Sequence, residues 1–386
     1  MLLSANERIL STGFPVKVLN FAKKTVYSFY WRSIAAYMFY GNTSLENTMV
    51  TLKDIAAEAG VSITTVSNVV HNRKSRVSAE RIAKIWEIIE REHYVPSMTA
   101  RSLANDQSYI IGMVTHITPQ TQGSTVDDPF LSSIMASVEQ RTRDEGYYLM
   151  IRSTDNTDAL ASLIHSWRLS GLILTGLFQD DFFEDVKKLG IPLVLIDSYV
   201  DDPDICNIGL EDEQGGYIAT KHLLEYGHRV IAFASPSIQN GGVIDQRLKG
   251  YRRALAEYGV DFDPSLIFTQ EISVQEGKQL GHLLAEKPEI TGVFACADIL
   301  AAGIMAGLSE CGLSVPQDKS IVGFDDHYLS QLTFPGLTTI HQDAEQKGFL
   351  ATDMLLAQVR QEPIAEKHVI LPVRLVERHS VRNLNQ

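Results

Sequence analysis

Cysteine is scarce in this chain of 386 residues: Cys206, Cys296 and Cys311 are odd in number and form no CxxC or Cys/His cluster. That argues against a disulfide framework or a structural metal and for a reducing compartment. No apolar run approaches the length of a membrane span, so a cytoplasmic chain with no membrane partner is expected. Also missing are a GxGxxG fingerprint, a P-loop and a nucleophile elbow, and the acidic pair in GFDD has no metal-ligand set around it. No catalytic constellation emerges, and no cofactor is expected. Positive charge is the last thing in short supply, for the formal net charge is −13.

What is present begins with charge placement. Residues 1–48 hold five Lys/Arg and two Asp/Glu, and residues 49–108 hold eight against seven, which leaves a net of −17 on 109–386. The acidity therefore belongs to the large C-terminal part, where it favours solubility and discourages indiscriminate binding to nucleic acid. Length allows two or three domains, and 45% hydrophobic with 21% charged residues is ordinary for a globular protein.

Residues 1–48 include FAKKTVYSFYWRSIAAYMFYG, aromatic and mildly basic. A membrane-surface anchor, a partner-binding arm and an upstream extension foreign to the native protein all fit it. The last is favoured, because Met49 directly precedes a complete domain pattern. In VTLKDIAAEAGVSITTVSNVV, Thr51 and Asp54 have capping-box spacing, and Leu52, Ile55, Ala56 and Ala59 share a helical face. Gly60 stands where a left-handed turn must end that helix. Ser62 is placed to cap the next one, with Val66, Val69 and Val70 on its apolar faces. A third helix starts at Ser78, and Ile82, Ile85, Trp86 and Ile89 are expected as its buried stripe.

Beyond the polar SMTARSLANDQS, apolar strand patterns alternate with amphipathic helical ones. The strand candidates are YIIGMVTHI, GYYLMI, SGLILTG, IPLVLID, RVIAFAS, TGVFACAD and SIVGFDD. Repeated βα units imply parallel sheets with ligand sites at the carboxyl ends of the strands, and this length suits two subdomains.

These segments, with RVSAERIAKIWEIIEREHYVP, ARSLA, QRLKGYRRAL, LTTIHQD and LPVRLVER in order, resemble the lactose-repressor/galactose-repressor family from residue 50 to about 380. The resemblance implies a small all-α helix-turn-helix headpiece and an α/β effector domain of two doubly wound, periplasmic-binding-protein-like subdomains. The expected boundaries are 49–95 for the headpiece, 96–108 for a hinge and 109–386 for the effector-binding and dimerisation domain. It further implies a homodimeric, sequence-specific regulator, expected to repress. Its partners would be double-stranded DNA with a near-palindromic operator and a small effector, a sugar or sugar derivative.

By match to the family pattern, Ile63, Thr64 and Asn68 face base edges; the plainer reading has Ile63 complete the small core and Thr64 start a helix. Thr51, Ser62, Thr65 and Ser67 are expected at phosphates, together with Arg73 in the loop His71, Asn72, Arg73, Lys74, Arg76. Leu103 matches the minor-groove wedge, with Ala100 packed beside it and Arg101 at phosphate; a flexible linker is the plainer reading. In the large domain, Asp197, Arg247 and Asp325 match effector contacts, suited to hydroxyls through planar bidentate pairing. Phe130, Thr175 and Gln342 match wall positions, and His116 is a further candidate. Strand-end turn capping is the plainer role for Asp197 and Asp325. One departure stands out: ACAD puts Ala297 where sugar-responsive members carry Asn, which leaves a protein corepressor open as the controlling partner. A transport-type binding protein or an enzyme fits less well, since neither accounts for the headpiece.

Overall fold

The computed structural model describes residues 50–70, 77–94, 108–116 and 128–386, apart from 155, 178–180, 199 and 201. The chain divides into two compact units, Met1–Ser97 and Met98–Gln386.

In the first unit, helix α1 (Leu52–Ala59) begins in the expected reciprocal cap. Asp54 N donates to Thr51 Oγ1 at 3.4 Å, and Thr51 N donates to the Asp54 carboxylate at 2.9 Å. Gly60 ends it at φ +68°, and Val61 N donates back to Ala56 O at 3.0 Å. Open space surrounds the position a Gly60 Cβ would take, so glycine is needed there for its backbone and not for room. Ser62 Oγ then accepts from Thr65 N at 3.1 Å and starts α2 (Ile63–Val70). With α3 (Ala79–Arg91), these helices enclose Ile55, Ala56, Val66, Val69, Ile85, Ile88 and Ile89. The expected stripe needs one correction. Trp86 is 37% exposed and Ile88 is buried in its place, because Ile85, Ile88 and Ile89 follow the three- and four-residue spacing of one helical face.

The second unit contains two six-stranded sheets. The strands are β1 (Ile110–His116), β2 (Tyr148–Thr154), β3 (Gly171–Thr175), β4 (Leu193–Ile196), β5 (Cys206–Leu210), β6 (Ile231–Ser235), β7 (Ile267–Thr269), β8 (Gly292–Ala295), β9 (Ser320–Asp325), β10 (Thr338–His341), β11 (His368–Leu371) and β12 (Arg374–Val376). The first sheet runs β11-β5-β4-β3-β1-β2 and the second β12-β10-β9-β8-β6-β7. Every pairing is parallel except β10 with β12. The chain thus passes between the sheets after β5, after β10 and between β11 and β12, which brings three crossing segments together. Central strands such as LVLI in β4 are buried throughout, as expected for a parallel sheet covered by helices on both faces.

Helices α4 (Pro129–Asp144) and α12 (Ala344–Val359) pack together beside the first sheet. Helices α7 (Asp212–Glu225) and α8 (Val243–Glu257) pack together in the second. Their backbones meet at two glycines. A Cβ on Gly250 would lie 1.9 Å from Glu213 O, and one on Gly216 would lie 2.1 Å from Arg247 O. Since α8 carries Arg247, this contact also sets the depth of that side chain. Gly250→Ala should separate the helices and cost roughly 1–3 kcal/mol of stability. Urea unfolding checks this, and an unchanged midpoint would contradict the packing argument.

Candidate effector site and candidate DNA-reading helix

The carboxyl ends of both sheets carry the polar residues, and one chain of hydrogen bonds joins them. Asp197 follows β4 at φ +51°, with its N–H donating to Ile208 O at 2.9 Å. Asp325 closes β9 at φ +117°. Between them stands Lys347 of α12, whose fully buried ammonium donates to Asp197 Oδ1 at 2.6 Å, to Asp197 Oδ2 at 2.8 Å and to Gln342 Oε1 at 2.9 Å. Gln342 Nε2 in turn donates to Asp325 Oδ1 at 2.6 Å. The Phe130 ring centroid lies 5.1 Å from the ammonium, within cation–π range.

Arg247 is buried alongside. Its Nε donates to Asp212 Oδ1 at 2.8 Å and its Nη1 to Cys296 O at 2.7 Å, while the guanidinium stacks 3.5 Å over the Phe324 ring. Thr175 ends β3 and donates to Thr115 Oγ1 at 3.4 Å, so it belongs to the adjoining strand ends and not to the bonded chain. His116 is the last residue of β1. Asp197, Gln342, Asp325 and Phe130 are therefore brought into one neighbourhood around Lys347, a residue that sequence reasoning passed over, while Arg247 is held alongside by Asp212, Cys296 and Phe324.

Lys347 could have been found. With Ala351, Met354 and Leu355 it lies on the buried stripe of α12, and a lysine on such a stripe requires a carboxylate partner. Asp212, Phe324 and Asp298 were missed as well. At Ala297, buried and apolar, the expected polar side chain is absent. Asp298 turns to other partners, accepting from Thr339 Oγ1 at 2.6 Å and His327 N at 2.9 Å, while its own N–H reaches Asp325 Oδ2 at 3.4 Å.

This crowding of carboxyls has an electrostatic consequence. Burial pushes the Asp325 carboxyl up to about 7, against the pull of the Arg247 charge. Burial, and then the neighbouring Asp325, raises Asp298 well above the usual carboxylate range. Burial raises Asp128, the cap of α4, in the same direction.

In the headpiece, Ile63 is 48% exposed and lies outside the small core, which removes the alternative of a core role. Thr64 is exposed beside it, and Thr65, Ser67 and Asn68 are half-buried, whereas Val66 and Val69 point inward. Ile63, Thr64, Ser67 and Asn68 thus share the face of α2 turned away from the core. Thr51 and Ser62 are the capping residues of α1 and α2. His71, Asn72, Arg73, Lys74 and Arg76, and Ala100, Arg101 and Leu103 of the hinge, lie outside the described residues.

The raised Asp325 has a signed effect on stability. Between about pH 4 and pH 7 the folded chain keeps a proton that the unfolded chain has released, so this group's contribution is lost as pH rises through that window. Asp325→Asn removes the term. Its melting temperature should therefore gain on that of the parent from acid to neutral pH, and parallel curves would show that Asp325 is ionised throughout.

Comparison with known proteins agrees with this geometry. Residues 51–97 match the family described as bacterial regulatory proteins, lacI family, and residues 220–381 match the periplasmic binding protein-like domain. The chain is 34% identical over 352 residues to the HTH-type transcriptional repressor PurR of Glaesserella parasuis serovar 5, covering 88% of this chain and 100% of that one. It is 32% identical over 349 residues to the HTH-type transcriptional regulator DegA of Bacillus subtilis, covering 87% and 99%. Among solved structures, the lac repressor dimer bound to operator and the anti-inducer ONPF is similar at a TM-score of 0.73, with 28% identity over 86% of this chain and 99% of that one. The transcriptional regulator CelR–cellobiose complex is similar at a TM-score of 0.64, with 25% identity and coverage of 86% and 99%. The chain belongs to the LacI family of bacterial regulatory proteins: it is a DNA-binding transcriptional regulator and not an enzyme.

Proposed function

We propose that this regulator is a homodimeric repressor that reads a near-palindromic operator with the exposed face of α2, under control of a small effector held at the strand ends. The observation that carries this reading is the bonded chain Asp197–Lys347–Gln342–Asp325, which ties the carboxyl end of one sheet to that of the other. A molecule bound there must trade against bonds that hold both sheets, so binding changes their relation. Through linkage, whatever the effector does to operator affinity, the operator does to effector affinity. The PurR-type relatives are named repressors, and the CelR structure holds cellobiose, which supports repression and a sugar or sugar-like effector. Ala297 favours a second reading, in which a protein corepressor controls the chain, because it removes a polar contact from the site.

Dimerisation is assigned to the second unit. Tyr328, Leu332 and Phe334 are exposed within seven residues, and Phe334 is fully so. The likeness to a dimeric lac repressor supports a second copy as their cover. Phe334→Asp should convert dimer to monomer in sedimentation, with operator affinity falling steeply because two headpieces no longer act together. A variant that stays dimeric would place the interface elsewhere.

For DNA, selection from a random pool with the full chain should enrich one palindrome. Asn68→Ala should cost about 1–3 kcal/mol of discrimination at the base it contacts. Leu103→Ala should weaken specific binding far more than non-specific binding; equal losses would make the hinge a plain linker. With a near-neutral headpiece, the dependence of affinity on salt should be shallow, and a steep one would contradict the reading. Repeating the selection with a panel of sugars tests effector control, since no compound changing occupancy would favour the corepressor reading.

A further inference from the structure

The turn that leaves β9 is held from two sides. Asp325 and Asp326 stand at φ +117° and +57°, the one place among the described residues where two non-glycine residues of positive φ adjoin. Such backbone costs free energy for a residue with a Cβ, and it persists where the surroundings fix it. Asp325 is fixed at the strand ends, by Gln342 Nε2 and Asp298 N. Asp326 is fixed by a different set. Its Oδ1 accepts from Arg378 Nη2 at 2.5 Å and its Oδ2 from His341 Nδ1 at 3.0 Å, and the Asp326 and Arg378 side chains are largely buried.

The same set roots the segment that follows. Helix α11 (Tyr328–Leu332) begins just beyond Asp326, and the O of its buried Ser330 accepts from Leu337 N at 2.8 Å. Arg378 Nη1 donates to Leu337 O at 2.8 Å, so one guanidinium joins Asp326 to Leu337. The base of 326–337 is thereby clipped shut, while Tyr328, Leu332 and Phe334 stay exposed between its ends. One carboxylate therefore stands at a junction. Asp326 shares a strained turn with Asp325, and through Arg378 it closes the loop that carries the apolar face.

We propose that Asp326 is the positioning residue that couples the strand-end site to the dimer face. This coupling rests on the readings of the strand ends as effector site and of Tyr328, Leu332 and Phe334 as dimer face, and it deepens both. The peptide between Asp325 and Asp326 is common to both residues, so a ligand that draws on the Asp325 carboxyl turns the backbone that carries Asp326. With Asp326 clamped, that rotation reaches the loop base; with the clamp gone, the two ends respond separately. Dimerisation then acts back on the site by the same factor.

The test measures the dimer dissociation constant of the full chain by sedimentation equilibrium, with substitutions at both ends. At the site, Asp325→Asn stands in for a ligand, since an amide offers one oxygen where the carboxylate offers two to Gln342 Nε2 and Asp298 N. It should shift the constant about threefold or more. Asp326→Gly should weaken dimerisation by about tenfold, even though glycine relieves the strain of a positive φ. In that background Asp325→Asn should change the constant by less than about twofold. Arg378→Met should reproduce both results, and Arg378→Lys, which keeps the charge, should retain part of the coupling. Should Asp326→Gly fail to fold, Arg378→Met carries the comparison.

A parent-like constant in Asp326→Gly would overturn the proposal, because the turn would then need its shape and not its clamp. An Asp325→Asn shift that is absent from the parent, or that survives in Asp326→Gly, would overturn it as well. Phe334→Asp keeps the readings apart. If that variant stays dimeric, the dimer-face reading fails and the coupling falls with it. If it is monomeric while Asp326→Gly matches the parent, the face stands and the coupling alone is lost. The sugar panel tests the effector reading independently, since it needs no variant.

Discussion

A fully buried ammonium admits few arrangements, and that of Lys347 organises the effector domain. Burying a charge is tolerable only when it is paired and its protons are all satisfied, and removing one partner of such a pair typically costs about 3–5 kcal/mol. The demand is met by residues from separate crossings of the chain: Asp197 at the end of β4 and Gln342 just past β10. Asp197 adopts a left-handed backbone, uncommon for a residue with a Cβ, and its twofold bond to Lys347 holds it in that place. Because Gln342 passes the constraint on to Asp325, the second sheet is indexed to the first through side chains and not only through connecting backbone. Such a lattice suits a switch: it has discrete bonds to exchange, so a ligand need not deform packed cores.

The acidity of the whole chain and its binding to DNA are reconciled by division of labour. The headpiece presents hydroxyl, amide and apolar groups on one face of α2, along with two capped helix starts, and contributes almost no net charge. Affinity built this way leans on shape and base contact, with a small electrostatic share, so on the proposed dimeric reading two headpieces would have to act together for tight binding. That dependence on pairing is what would expose operator affinity to control from the second unit.

Much of this fold could be read from the residues, for local reasons. Thr51 and Asp54, Gly60 and Ser62 act within a few residues of themselves, so capping chemistry located the first two headpiece helices. The apolar central strands were equally plain. What escaped depended on distant partners. The stripe Ile82, Ile85, Trp86 and Ile89 reads as buried, but in the fold Trp86 lies at its edge, exposed, and Ile88 takes the inward place. Strands β5, β7, β10, β11 and β12 are short, polar-interrupted or at an edge, and CNIGL or RLV becomes a strand only because a neighbour is there to pair with it. Among site residues, Asp197, Arg247 and Asp325 were found by resemblance; Lys347 was legible as a lysine on an apolar stripe, but its pairing with Asp197, 150 residues away, was not.

Ala297 and Asp298 show how one site can keep its frame while changing its chemistry. An amide before Asp298 would offer a ligand both a donor and an acceptor, and the buried methyl of Ala297 offers neither. Asp298 cannot make up the loss, since its oxygens are held by Thr339 of β10 and by the N–H of His327 beyond β9. Those bonds instead brace the segment in which Asp325 sits at φ +117°, and the Asp298 N–H touches Asp325 directly. Asp298 thus serves the shape of the strand ends, and the position of the missing amide stays apolar.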